Sequence, residues 1–218
     1  MRLTMLYAVG IEEVREIFRA SDKNAGHLRW VFDQNYRLSP TNPAVKSSLL
    51  SKLGPLMKRH PGNRPIPKDH PLPVDAEALL AGRAIAPARL PYAWQILETW
   101  LADLAYGTLT LEIDPRAFDF DLGKAGLPAE SQLTLLIRGS AELPIRPLAG
   151  MRVGYAKNAR VIAAREQLTN VIGDVCPASV EPAGQLLSFF NKFPGWTWDA
   201  AHFKRPKPDL LIIRTGEN

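Results

Sequence analysis

The segment DLLIIR, residues 209–214, contains four consecutive aliphatic residues and is predicted to be a strand that is too apolar to stay exposed. The segment LTMLYAV, residues 3–9, has the same character at the other end of the chain. We therefore predict that both strands belong to one main sheet. Further strand patterns lie at residues 108–113, where polar and apolar residues alternate, and at residues 153–155.

Helices are expected over most of the remaining chain. The clearest pattern runs from residue 91 to residue 105, and we expect Gly107 to close this helix. Residues 133–137 fit either a strand or a helical turn. Further helices are predicted at residues 11–20, around residues 28–32, from the cap at Asn42 to about residue 57, and at residues 75–80, 159–171 and 182–193. The predicted fold class is α+β, a helix-dominated single domain with a small sheet that includes the N-terminal and C-terminal strands.

Prolines mark the clearest internal boundary of the chain. Residues 61–73 contain five prolines, which preclude a helix or a central strand there. We predict that this segment is a surface loop. Because the roughly 60 residues before it would make a marginal domain by themselves, we expect a single domain over residues 1–218.

The composition argues against a disordered chain and against a membrane helix. Hydrophobic residues make up 46% of the 218 residues, which is enough for a sizeable core. No apolar stretch reaches the roughly 18 residues that a membrane helix needs. Because Cys176 is the single cysteine, we expect a reducing compartment and hence a cytoplasmic location.

The common local signatures of enzymes and cofactor sites are missing from the sequence. It has no GxGxxG loop, no phosphate-binding loop around Gly123-Lys124, no HExxH, no cysteine pair and no GxSxG elbow. We therefore expect a protein without a cofactor. Cys176 stands before Pro177 without a neighbouring base, so we interpret it as an ordinary small apolar residue rather than a nucleophile.

Three acidic residues, Asp114, Asp119 and Asp121, follow the predicted strand at residues 108–113. Hard cations prefer several oxygen ligands, and a D-x-D pair on a loop can supply two of them. The spacing does not fit a calcium loop, however. Our preferred interpretation is that Asp114 and Asp121 terminate secondary-structure elements through hydrogen bonds to the backbone, and we predict no metal site.

Aromatic residues concentrate near the C-terminus. Six of the 18 aromatic residues lie within 15 positions: Phe189, Phe190, Phe193, Trp196, Trp198 and Phe203. Large aromatic residues dominate both cores and interfaces, and we expect most of these six to be core, with Trp198 at least partly buried among them. The alternative is a pocket or partner surface in which Trp196 or Trp198 is the anchor and His202 a polar group.

Positive charge is unevenly distributed, because the net charge of +5 consists of +5 in residues 1–75, −3 in residues 76–150 and +3 in residues 151–218. The positive charge near the front of the chain includes a basic stretch at residues 46–68, whose side chains suit contact with nucleic-acid phosphates. No Phe, Tyr or Trp lies within the stretch to stack on bases, so we expect only weak binding. The basic residues of the stretch, beside which Asp69 is the only acid, are Lys46, Lys52, Lys58, Arg59, Arg64 and Lys68.

Together these features favour binding over catalysis. The leading hypothesis is a cytoplasmic protein that binds or regulates another macromolecule, most naturally a protein partner. The alternatives are weak nucleic-acid association through residues 46–68 and an enzyme whose catalytic residues are distant in sequence. Ionisable groups converging in a pocket would favour an enzyme, whereas an apolar surface patch would favour a binding protein.

Overall fold

The computed structural model describes residues 3–36 and 70–216 of the chain. Within these residues the strands are β1 (Leu3–Val9), β2 (Gly107–Glu112), β3 (Arg152–Ala156) and β4 (Asp209–Thr215). The helices are α1 (Ile11–Glu16), α2 (Asp22–Tyr36), α3 (Pro73–Leu80), α4 (Leu90–Leu104), α5 (Pro115–Lys124), α6 (Leu133–Leu136), α7 (Asn158–Val171), α8 (Pro177–Phe190) and α9 (Phe193–His202).

The four strands form one antiparallel sheet in the order β2, β1, β4, β3. The two terminal strands occupy its centre, where β1 pairs with β4 along its whole length from Leu3 opposite Thr215 to Val9 opposite Asp209. This pairing confirms that the strands at the two ends of the chain share the main sheet. The five residues between the ends of β4 are all buried, as a central strand with both faces covered requires.

Helices cover both faces of the sheet, and the alternation of side chains along the central strands divides them between two cores. Tyr7 and Leu211 enter the first core, which includes buried residues of α1, α2, α3 and α4. Leu6 and Ile212 enter the second core, which includes buried residues of α5, α6, α7, α8 and α9. The predicted α+β class with a helical majority is therefore confirmed.

Helix α4 matches the strongest periodicity in the sequence and packs two fully buried tryptophans into the first core. The indole Nε1 of Trp94 donates to the carbonyl of Arg146, and that of Trp100 donates to the carbonyl of Leu28, each at 2.8 Å. Both buried N–H groups are thereby satisfied. The helix ends at Leu104, and Gly107 begins β2 instead of closing the helix.

Helices α5, α8 and α9 differ most clearly from the sequence prediction. The acidic segment after β2 is not a loop but contains α5, whose first residue, Pro115, suits a first turn because it needs no N–H there. Helix α8 begins at Pro177 rather than at residue 182 and continues through Pro182. A separate helix, α9, follows it, whereas no helix was predicted there. Residues 133–136 form the helical turn α6, one of the two predicted alternatives.

Part of the predicted organisation lies outside the described residues, namely the helix from Asn42 to about residue 57, the basic stretch at residues 46–68 and the proline-rich segment up to residue 69. Pro73, predicted to be the last residue of the loop, is instead the first residue of α3. Within the described ranges, no helix combines the length and apolar character that crossing a membrane would require.

Candidate functional site

Helix α9 separates its two tryptophans. Two positions along a helix correspond to a rotation of about 200° around its axis, so the two side chains lie on nearly opposite sides. Trp196 therefore packs edge-on against the rings of Phe189 and Phe193, at centroid distances of 5.3 and 5.4 Å. Trp198 is 67% exposed, so the expectation that it is at least partly buried among the C-terminal aromatic residues is wrong. The sequence prediction failed because it placed no helix over these residues.

The exposed aromatic side chains form a stacked group. The indole of Trp198 lies parallel to the imidazole of His202, with centroids 5.5 Å apart and an interplanar angle of 6°. Phe203, which is 65% exposed, meets the His202 ring edge-on at 5.0 Å. The spacing of four residues between Trp198 and His202 brings their rings together on one face of α9. We call Trp198, His202 and Phe203 the aromatic ridge.

The ridge is attached firmly to the body of the protein at the end of α9. Lys204 has a positive φ of 55°, which ends the helix, and the N–H of Arg205 returns to the carbonyl of Ala200 at 2.9 Å. The Arg205 guanidinium then donates to Glu13 at 2.9 and 3.1 Å and to the carbonyl of Leu104 at 2.6 Å. The hydrogen bond to Glu13 raises the pKa of Arg205 above its ordinary value, so this anchor stays charged.

Tyr106 lies beneath this anchor. The Arg205 guanidinium is 4.3 Å from the centre of the Tyr106 ring, a cation–π geometry. Burial raises the pKa of Tyr106, and the nearby positive charge of Arg205 opposes that rise. The Tyr106 hydroxyl therefore stays protonated and is a neutral support for the anchor.

A groove of about 360 Å³ adjoins the C-terminal end of the ridge. Its apolar residues are Ile17, Leu28 and Leu104, and polar and charged side chains surround them. We call it the His27 groove, and its remaining lining residues are Glu13, Glu16, Asn24, His27, Lys204, Arg205 and Pro206.

A second exposed aromatic pair flanks the His27 groove. The ring of His27 stacks on Trp30 with centroids 6.0 Å apart, and Trp30 is 57% exposed. Nε2 of His27 lies 2.7 Å from a carboxylate oxygen of Asp103, which fixes the imidazole between α2 and α4. Sequence reasoning missed the contact between His27 and Asp103 because the two residues are 76 positions apart in the chain.

The His27 groove combines the His27–Asp103 pair with apolar and charged side chains. Within the described residues the lining of the His27 groove contains no Ser, Thr, Cys or Tyr that the His27–Asp103 pair could activate. Among the described residues, His202 makes ring contacts with Trp198 and Phe203. Exposed aromatic rings next to a small groove instead resemble the anchors of an interface.

The three acids singled out in the sequence have separate partners. Asp114 accepts the N–H of Arg116 at 3.1 Å and caps α5, as predicted. Asp119 is buried beneath α6 and accepts the N–H groups of Leu133 and Thr134, both at 2.8 Å. Burial raises the pKa of Asp119, and these hydrogen bonds oppose the rise.

Asp121 does not terminate an element as predicted, because it lies inside α5. Its carboxylate accepts a hydrogen bond from the Ser179 hydroxyl at 2.7 Å, which holds its pKa below the usual range. Within the described ranges, no three His, Cys, Asp or Glu side chains are arranged to hold a metal ion.

Another concavity, of about 450 Å³, lies where β1 and β3 end and α1 and α7 begin. Arg15, Lys157 and Lys207 give it basic character. Its helix N-termini already have an anionic partner, because the Asp209 carboxylate accepts the N–H of Asn158 at 2.9 Å and that of Ile11 at 3.5 Å. The protein's own side chain thus occupies the position that a bound anion would take.

Of the predicted partner-binding residues that the structure describes, Trp198 and His202 come together. Trp196 is in the second core, and its role as an anchor stays a prediction. The six basic residues of the predicted phosphate-binding stretch lie outside the described residues, namely Lys46, Lys52, Lys58, Arg59, Arg64 and Lys68.

Comparison with protein-family models, with curated protein sequences and with solved structures finds no match to this chain in any of the three.

Proposed function

We propose that this chain is a protein-binding module that docks a partner on the aromatic ridge and the adjoining His27 groove. The observation that carries the proposal is the exposure of Trp198 and Phe203, at 67% and 65%, in a group fixed by ring stacking. Leaving two large aromatic side chains in water forgoes the stabilisation that burial would provide. A partner that covers them recovers it.

The ridge also has the rigidity that an anchor needs. Binding orders side chains at a cost of about 0.5 to 1.5 kcal/mol for each mobile one. Stacking between Trp198 and His202 and the anchoring of Arg205 on Glu13 reduce that cost, because these side chains are ordered before the partner arrives. Tryptophan is also among the residues that most often dominate binding energy at protein interfaces.

The charge pattern around the groove favours a protein over a nucleic acid as the partner. Glu16 and the positive Lys204 both line the His27 groove, together with its apolar residues. A carboxylate in this position would repel phosphates. A mixed polar rim around an apolar centre is the usual anatomy of a protein interface.

The proposal includes a cytoplasmic location, and two alternative functions, weak nucleic-acid association and an enzyme, can be tested against it. A single cysteine, Cys176, fits the reducing cytoplasm. Weak nucleic-acid association through residues 46–68 would show a steep decrease of affinity for oligonucleotides with salt. An enzyme would require a reacting group that the His27–Asp103 pair can reach.

The proposal is tested by partner capture with two matched double variants. Immobilised protein is used to recover partners from a cell extract, and the affinity of a recovered, purified partner is then measured by titration calorimetry. The ridge variant, Trp198→Ser with Phe203→Ser, is expected to weaken binding by about thirtyfold or more, the effect of losing a hot spot. The control, Val74→Ser with Phe120→Ser, removes two apolar residues that are each 61% exposed elsewhere and should bind normally.

Equal affinity of the ridge variant and the wild-type protein for every recovered partner would contradict the proposal. Equal loss in the ridge variant and the control variant would also contradict it, because the effect would then not belong to the ridge.

A further inference from the structure

The two edge strands of the sheet, β3 and β2, differ in whether their outer sides are paired. Along the outer side of β3, Tyr155 forms a bridge with Gly139 and donates its N–H to the Gly139 carbonyl at 2.9 Å. The outer side of β2 pairs with no strand within the described residues. In an antiparallel pair, alternate residues direct their N–H and C=O groups away from the neighbouring strand. The edge of β2 therefore offers a row of backbone donors and acceptors.

This edge lies in a groove of about 680 Å³ formed by β2, α5 and α8. The consecutive residues 110–113 line it from the strand side. Residues at the start of α8 line the opposite side, including Ala178 and Pro182. Because Pro182 has no N–H, it cannot donate the helical hydrogen bond to the carbonyl of Ala178.

The groove is strongly acidic. Among the residues that the structure describes, the lining contains no Lys, Arg or His but four carboxylates, namely Glu112, Asp114, Asp121 and Glu181. Glu112 and Glu181 are exposed. The hydrogen bond from Ser179 keeps Asp121 ionised, so the negative charge persists at neutral pH.

We propose that this groove binds an extended, lysine- or arginine-rich segment of a partner protein, which adds to the edge of β2 as a further strand. Backbone hydrogen bonds to β2 would supply the affinity that does not depend on sequence. The four carboxylates would select basic side chains by charge complementarity. The site is separate from the proposed aromatic interface, since no ridge residue lines the groove.

A second copy of this chain is a poorer occupant than a basic segment. Two β2 edges that met would bring two copies of the same acidic groove together, and like charges that face each other destabilise such a pair. A charge-complementary partner removes that repulsion.

The test measures the fluorescence anisotropy of labelled peptides with the full-length protein. The probe is a peptide of about eight residues that alternates lysine with valine or threonine, long enough to cover the six residues of β2. Two matched peptides are a version with glutamate in place of lysine and a version with N-methylated alternate residues on the edge that would face β2. We expect the lysine peptide to bind, the glutamate peptide not to bind, and N-methylation to weaken binding by about tenfold or more.

The protein variants locate the site. Glu112→Gln with Glu181→Gln should weaken binding of the lysine peptide by about fivefold to tenfold. Glu130→Gln with Glu166→Gln removes the same charge from exposed positions outside the groove and should leave binding nearly unchanged. The proposal is overturned if the lysine peptide does not bind. It is also overturned if N-methylation has no effect, or if the two double variants weaken binding equally.

Discussion

The inner and outer sides of α9 carry the same kind of residue in opposite environments. On the inner side, Phe193 is fully buried and Trp196 packs against it. On the outer side, Trp198 is 67% exposed and stacks only on His202 among the described rings. Helix α9 thus contributes to both a core and a candidate interface. The position of each ring around the helix axis assigns it to one or the other.

This comparison shows why aromatic density by itself does not identify a site. The inner rings remove area from water within the fold and should determine stability. The outer rings are available to a second molecule and should determine binding. Substitutions on the two sides can therefore separate the two properties.

Phe193→Ala should have the largest effect. The ring of Phe193 contacts Phe189, Phe190 and Trp196 and is fully buried, so its loss leaves a cavity in the second core. We expect the free energy of unfolding to decrease by about 3 to 5 kcal/mol, measured by urea denaturation. Phe193→Leu is the control and should cost clearly less. A cost below about 1 kcal/mol would show that the inner side is not a packed core.

Gly107→Ala should have an intermediate effect. A Cβ atom at this first residue of β2 would lie 2.5 Å from Cζ2 of Trp196, so the indole would have to shift. We expect a loss of about 1 to 3 kcal/mol in the free energy of unfolding, typical of overpacking. Adding Trp196→Leu should recover part of this loss in a double-mutant cycle. Strictly additive effects would mean that the two residues do not meet.

Lys204→Gly should stabilise the protein slightly. Lys204 ends α9 with a φ of 55°, a conformation that glycine adopts without the strain of a Cβ atom. We expect the free energy of unfolding to rise by about 0.5 to 1 kcal/mol. Lys204→Ala, which removes the same charge but keeps a Cβ atom, should give no such gain. A gain of equal size in both variants would assign the effect to charge instead.

Trp198→Ala should have the smallest effect on stability, with a change below about 0.5 kcal/mol, because little of this side chain is buried. The same variant should bind a ridge partner much more weakly, and paired denaturation and calorimetry measurements would show both results. If Trp198→Ala lost as much stability as Phe193→Ala, the inner and outer sides of α9 would not differ as the geometry indicates.

The two terminal strands and α4 could be predicted from the sequence, because patterns within single segments are enough to recognise a strand or a helix. The aliphatic runs at residues 3–9 and 209–214 predicted the two central strands, and the periodicity of Trp94, Leu97 and Leu101 predicted α4. In these elements the apolar residues of the sequence pattern are mostly the buried ones, so local composition and burial agree.

Only the tertiary structure decided where the candidate sites are, because each depends on residues brought together from distant segments. Pro194 and Gly195 lie in the first turn of α9 and are poor helix formers, so the sequence pattern did not predict this helix. The opposite directions of Trp196 and Trp198 could therefore not be predicted either. The His27–Asp103 pair joins α2 to α4, and the acidic groove joins β2 to α8. Sequence spacing does not encode such contacts, since helix packing and strand order set them after the local elements have formed.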